Sequence, residues 1–264
     1  MLAFLSKTVP VLCLLLMMQA CNIDKTETPV LDTEVEKEYE LDLWENLSNQ
    51  SRTFLIKANT IKNQDCLNYF IESSINRKGN NIEINLGKPQ ISSVCERGVG
   101  TAKSSLDLGT ISNGVYPCTI KLGQIVPSTG RLVVSSGSFF LSMPAPIGFR
   151  VLHNTLLRIP DNTIWGYIGY DAAAQPVVVQ FFNDLAGISQ PNDLPKGYYG
   201  YFNFLENGSI ELDNTQVSTD RPIQPIVRRF SANESDLEKL IQTYRDKYGP
   251  SILIRLRNTA GREY

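Results

Sequence analysis

The side chains able to do chemistry are few in this 264-residue chain. His153 is the only histidine, so a histidine-dependent triad or metal site has a single residue to draw on. It lies in a strand-like run, Val151-Leu152-His153-Asn154, with no nucleophile or orienting group spelled out beside it, and reads as structural. Gly98-Val99-Gly100-Thr101-Ala102-Lys103-Ser104 has the outline of a phosphate loop, but Arg97 stands where the first glycine belongs and Ala102 precedes the lysine. It reads as an ordinary loop. There is no G-x-S-x-G and no H-E-x-x-H. The paired carboxylates of a glycoside hydrolase need only meet in space, and Asp161, Asp171 and Asp184, near aromatic segments, are the acids such an enzyme would use. The chain therefore reads as a non-enzyme, with no cofactor and no metal expected.

Binding chemistry is better represented. The densest aromatic stretch is Gly197-Tyr198-Tyr199-Gly200-Tyr201-Phe202-Asn203-Phe204. As a strand it places Tyr199 and Tyr201 on one face and Tyr198, Phe202 and Phe204 on the other. Tyrosine is flat, rigid and amphipathic, suited to stacking on sugars or peptides. With Trp165 and Tyr167 on a neighbouring strand, Tyr199 and Tyr201 would form a ligand platform; the competing reading buries the strand on both faces. Hydrophobic residues at 42% and charged residues at 20% allow a sizeable core. A net charge of −2 lacks the basic excess of a nucleic-acid binder.

The first residues, MLAFLSKTVPVLCLLLMMQA, carry one lysine, then an apolar run from Val9 to Met18 too short to span a bilayer. Leu16-Met17-Met18-Gln19-Ala20-Cys21 resembles the lipobox of bacterial lipoproteins, with Met18 and Gln19 departing from its usual residues. The resemblance implies cleavage before Cys21, acylation there (palmitate among the chains), and a stable anchor, since two or more chains hold where one binds marginally. No Asp directly follows Cys21, and for a lipoprotein that the resemblance implies this means the outer membrane of the cell envelope, facing the periplasm or the surface. The style, a short acidic tether before β modules, resembles lipoproteins of the Bacteroidota. Residues 1–20 are then a signal peptide and 21–33 a tether.

From Glu34 to Leu43 the chain alternates strictly, Val35, Tyr39, Leu41 and Leu43 against an acidic row, and predicts a strand whose outer face is a solvated edge. Regular short strands with turn signals continue to about residue 143 and predict a β-sandwich. Gly114-Val115-Tyr116-Pro117-Cys118 resembles the strand-F corner of immunoglobulin-like domains, although no Trp lies between Cys66 and Cys118. Once Cys13 leaves and Cys21 is acylated, Cys66, Cys95 and Cys118 remain for one disulfide. Cys66 and Cys95 sit at turn-like ends on either side of a predicted hairpin and are the favoured pair; Cys66–Cys118 is the alternative that the immunoglobulin resemblance implies.

Met143-Pro144-Ala145-Pro146 reads as a stiff connector between domains 34–143 and 147–264. The second domain predicts strands at 149–152, 155–159 and 163–170, a helix after Pro176, a hairpin about Glu206-Asn207-Gly208, a helix opened by a capping box at Ser231 to Glu234 and stopped by Gly249-Pro250, and a last strand at 252–256. The fold class expected is mainly β with α+β character, an immunoglobulin-like β-sandwich followed by an antiparallel sheet with two helices. The expected function is a membrane-anchored envelope lipoprotein, a non-catalytic module binding a polysaccharide or an envelope protein; the alternatives are an assembly component and the carboxylate-dependent hydrolase.

Overall fold

The computed structural model describes residues 35–48, 51–125, 127–230 and 232–264. The expected signal segment, the acylated Cys21 and the tether lie outside the described residues. The described chain is mainly β with two α-helices, and Glu36–Tyr264 form one compact unit.

Period-two patterning builds the first sheet. In β1 (Tyr39–Leu47), Tyr39, Leu41 and Leu43 turn inward while Glu40 and Asp42 turn outward. The strands that follow are β2 (Arg52–Cys66), β3 (Tyr69–Lys78), β4 (Asn81–Ile91), β5 (Arg97–Asp107), β6 (Gly114–Leu122), β7 (Ser128–Val134), β8 (Ser138–Ser142), β9 (Phe149–Val151) and β10 (Thr155–Leu157). They pair as one ten-stranded sheet in the order β10-β8-β7-β6-β4-β3-β5-β2-β1-β9, where the sandwich expectation has two sheets. The sheet curls around a single core in which Phe54 of β2 stacks on Phe139 of β8 at 4.4 Å. The resemblance to the strand-F corner holds locally, because the Tyr116 hydroxyl donates to Ser112 O at 2.8 Å.

Three expectations change here. The acidic row of β1 is not a solvated edge: β2 pairs on one side and β9, in parallel, on the other. The expected boundary at 143–147 also falls inside the large sheet. β9 joins β1 and β10 joins β8, and between them Leu152 N donates to Leu41 O while Leu141 N donates to Asn154 O, both at 2.8 Å. A curled sheet leaves two open edges, and this short crossing strand pair satisfies both. The Gly98–Ser104 loop is likewise strand, the body of β5.

Cys66, ending β2, is disulfide-bonded to Cys95, just before β5, with Cα atoms 5.4 Å apart. The two are 29 residues apart in sequence, so in the chain-entropy account the link contributes about 3–4 kcal/mol. Cys118 is buried and free, and burial pushes its thiol up to about 12.

After Leu157 the chain forms β11 (Thr163–Tyr170), α1 (Gln175–Ala186), β12 (Ser189–Pro191), β13 (Gly197–Tyr198), β14 (Phe202–Phe204), β15 (Ile210–Leu212), β16 (Ile223–Phe230), α2 (Glu234–Tyr248) and β17 (Ile252–Asn258). The antiparallel sheet β12-β16-β11-β17 is covered on one face by the helices, through Phe181, Leu185, Leu237 and Ile241 on Ile164, Ile168 and Ile254. Its other face meets Trp44 and Leu47 of β1 and the small sheet β13-β14-β15. Ser231, which opens the expected capping box, lies outside the described residues; the Glu234 carboxylate accepts from Asn258 Nδ2 and from Arg262 Nη1, both at 2.9 Å. Gly249, at φ +48°, ends α2 as expected of a glycine there.

Candidate ligand-binding cleft

The expected aromatic platform is core. Trp165, Tyr167, Tyr199 and Tyr201 are each no more than 3% exposed, and they share a buried cluster with Trp44 and Phe202. Trp44 lies 4.5 Å and Trp165 5.1 Å from the Tyr201 ring. The predicted long strand breaks at Gly200, where φ is +81° and an added Cβ would press on the Trp44 indole at 3.2 Å. Tyr199 N instead closes a tight turn onto Phe202 O at 2.9 Å. Tyr199 and Tyr201 therefore do not line one strand face, and burial pushes the Tyr199 phenol up to about 12. An aromatic run has the same spelling whether it packs a junction or meets a ligand.

Two of those four residues nevertheless reach a cleft. β17 is the outer strand of its sheet. Its odd-numbered residues Leu253, Arg255 and Arg257 stand opposite Gly169, Tyr167 and Trp165 and share their face; Ile252, Ile254 and Leu256 turn to the helices. Residues 262–264 fold back along the strand, so that Tyr264 N donates to Leu256 O at 2.8 Å and Leu256 N to Tyr264 O at 3.3 Å. By the antiparallel alternation, Ile252 and Ile254 present their N–H and C=O to the same outer side. There Ile254 O accepts from Arg245 Nη2 at 2.9 Å, and Ile252 and Ile254 are buried, at 5% and 0% exposure.

A cleft of about 770 Å³ runs along this flank, and Trp165, Tyr167, Thr215, Ser218, Arg245 and Tyr264 are among the residues that line it. Its charge is one-sided. Arg257 is ion-paired with Glu263, but Arg255 is exposed and has no carboxylate partner among the described residues. Burial, and then Arg255 nearby, hold the Arg245 guanidinium below its usual range. The Trp165 indole N–H is buried and has no acceptor among the described residues. The cleft thus offers donors and positive charge in a chain that is net negative, which suits an acceptor-rich anionic ligand.

His153, read from sequence as structural, has an orienting acid that sequence reasoning missed. Its Nδ1 lies 3.1 and 3.2 Å from the Asp42 carboxylate oxygens, and its ring stacks on Tyr198 at 3.7 Å. The Tyr198 hydroxyl donates to Asp42 Oδ2 at 2.8 Å. Burial raises the Asp42 carboxyl despite these bonds. Opposite Asp42 on β2, Lys57 Nζ sits 2.9 Å from the centroid of the Trp44 ring; burial draws it down to about 8, against the pull of Asp213 and Asp42. No nucleophile joins the cluster in the hydrogen bonds observed, and it ties the large sheet to β13.

Lys57 gives a measurable signature. At pH 8 about half of it is uncharged, against under about 1% of an ordinary lysine. Limited acetylation read by mass spectrometry is expected to show Lys57 reacting with a midpoint about two pH units below the other lysines; a common midpoint would contradict its placement. The unfolded chain keeps this proton to pH ~10.4. Its share of stability therefore rises with pH from about 8 to that value, and is lost as pH falls through about 8.

The acids proposed for hydrolysis are tied to separate partners: Asp161 to Arg52 at 3.1 Å, Asp171 to Arg221 at 3.5 Å and Asp184 to the Tyr244 hydroxyl at 2.6 Å. Among the described residues no group of three His, Cys, Asp or Glu could hold a metal ion, and no helix is long and apolar enough to cross a membrane. No family model, no curated protein and no solved structure matches the chain.

Proposed function

We propose that this chain is a lipid-anchored protein of the bacterial cell envelope, acting as a non-catalytic module that binds an anionic ligand or partner in the cleft along β17. The observation that carries the binding reading is that cleft: it is lined by three arginines, two of which, Arg245 and Arg255, have no carboxylate partner among the described residues. The anchor rests on the lipobox resemblance of Leu16 to Cys21. The immunoglobulin-like reading of the large sheet is supported by the Tyr116 corner, and the single-sheet pairing speaks against it; the binding proposal needs neither.

Two results test the proposal. Cys21→Ala is expected to leave the melting temperature unchanged and to move the protein from the membrane fraction to the soluble fraction; unchanged fractionation defeats the anchor. For the cleft, the full chain in detergent is expected to gain thermal stability by mass action with an acidic polymer, either polygalacturonate or an acidic peptide, and Arg255→Glu to lose that gain. No response to either polymer defeats the binding reading.

A further inference from the structure

We infer that the disulfide-linked end of the large sheet dips into the lipid surface that holds this protein; its setting rests on the anchored reading above. Of the ten large apolar residues exposed among the described residues, six lie at this end: Ile61, Leu67, Phe70, Ile91, Val94 and Val99. Val94 is 89% and Val99 70% exposed. Scattered apolar side chains need no explanation, but a gathering of them marks a protein or membrane contact. The end also projects. β1 begins with Tyr39 opposite Thr60, while β2 runs on to Cys66 with β5 beside it, Asn63 against Thr101 and Cys66 against Arg97. At about 3.3 Å per residue, this carries the tip roughly 15–20 Å past the start of β1. Residues 91–99 are exposed throughout.

The tip is held in shape. Besides the Cys66–Cys95 link, Leu67 N donates to Glu96 O at 2.9 Å. The Asn68 side chain donates to Val94 O at 3.0 Å and accepts from Glu96 N at 3.0 Å. Val94 is thus fixed outward before any contact is made, which lowers the ordering cost of binding. The charges at the tip cancel: Asp65 and Glu96 stand against Arg97 and Lys103, and Lys62 is ion-paired with Glu36. Its attraction to a surface is therefore apolar, and a narrow convex tip suits the deformable acyl boundary of a bilayer. The chain also enters the fold here, since Ile61 N donates to Glu38 O at 2.8 Å and Glu36 pairs with Lys62 at 2.9 Å. Residues 22–35 join Cys21 to Glu36, so an acyl group on Cys21 stays within about 50 Å of this end even if they are fully extended. The point where the anchoring segment joins Glu36–Tyr264 and the apolar tip are at one end of that unit.

The test uses the full chain reconstituted in phosphatidylcholine vesicles whose acyl chains are brominated near the headgroup. One tryptophan is added, either Val94→Trp at the tip or Val179→Trp on α1, where Val179 is 58% exposed. The native Trp44 and Trp165 are buried and give a constant background. Val94→Trp is expected to lose about half or more of its added emission, at the depth an interfacial apolar face reaches, and to keep that loss in ~1 M salt. Val179→Trp should stay as bright as in unbrominated vesicles. An unquenched Val94→Trp on a chain that floats with the vesicles overturns the inference, leaves the anchor standing and makes the tip a site for a protein partner. Equal quenching at both positions overturns it as well, and quenching that salt abolishes overturns it in favour of charge attraction. A chain that does not float with the vesicles removes the anchored reading and this inference together.

Discussion

Gly166→Ala is expected to destabilise the helix-covered half of the protein by about 3 kcal/mol or more. Gly166 sits mid-way along β11, between β16 and β17, at φ +145°. A Cβ there falls far inside contact distance of Arg255 O and 3.0 Å from the Leu256 Cα. Both obstacles are backbone of the neighbouring strand, so no rotamer change relieves them, and the backbone angle strains any other residue. The ladder from Ile164 to Tyr170 would have to part from β17, opening the cleft as well. Gly169, on the same strand, is the control: its added Cβ meets Thr219 and Leu253 side chains at 3.4 and 3.6 Å, ordinary contact. Urea midpoints of the two variants should separate widely. Equal midpoints would contradict the β11–β17 register.

Glu45→Ala is expected to cost a similar amount, about 3–5 kcal/mol, by stranding buried charge. Glu45 shares the inward face of β1 with Leu43, and its side chain is 4% exposed. Its two carboxylate oxygens serve two arginines, Oε2 with Arg52 Nη2 at 2.8 Å and Oε1 with Arg158 Nη2 at 2.8 Å. Arg52 also donates to Ile159 O at 2.6 Å, so the network pins the segment that leaves the large sheet. Burying three charges costs desolvation that their attraction only roughly repays, so the network itself adds little stability; its half-removal is what hurts. Glu45→Gln, which keeps the shape, should cost less, and replacing Glu45, Arg52 and Arg158 together by leucine, methionine and leucine should cost less than Glu45→Ala alone. Denaturant titration of the three variants checks the order. A triple variant worse than the single one would contradict it.

Local structure was the most legible part of the sequence. Of the alternation expected from Glu34 to Leu43, the part from Tyr39 on stands, while Val35, expected to face inward, lies before β1 and is exposed; the Gly208 hairpin and the helix ending at Gly249 are each written in a few adjacent residues and stand in the structure. The path of the chain after Pro146 was not legible, because β9 and β10 are three residues each and owe their existence to partners more than 100 and about 15 residues away. The same limit hid the site. Nothing local says that Arg245 of a helix, Arg255 of a strand and Ser218 of a loop share one cleft, since arginine on an outer strand is also the ordinary way to keep an edge soluble. The Asp42–His153 pair, 111 residues apart, was invisible for that reason too. A signal existed in one place: Arg255 and Arg257 alternate along a strand that reads as the last in its sheet, and a one-sided charge row on an outer strand invites an opposite partner.

The most direct measurement is hydrogen–deuterium exchange of the full chain in detergent, with and without polygalacturonate at saturating concentration. If the polymer binds in the cleft, the amides of Thr215, Gln216, Ser218 and Tyr264, which line it, gain protection while those of β9 and β10 keep their rates. Unchanged exchange at those residues under conditions where the polymer is bound would place the ligand elsewhere and contradict the role given to this cleft.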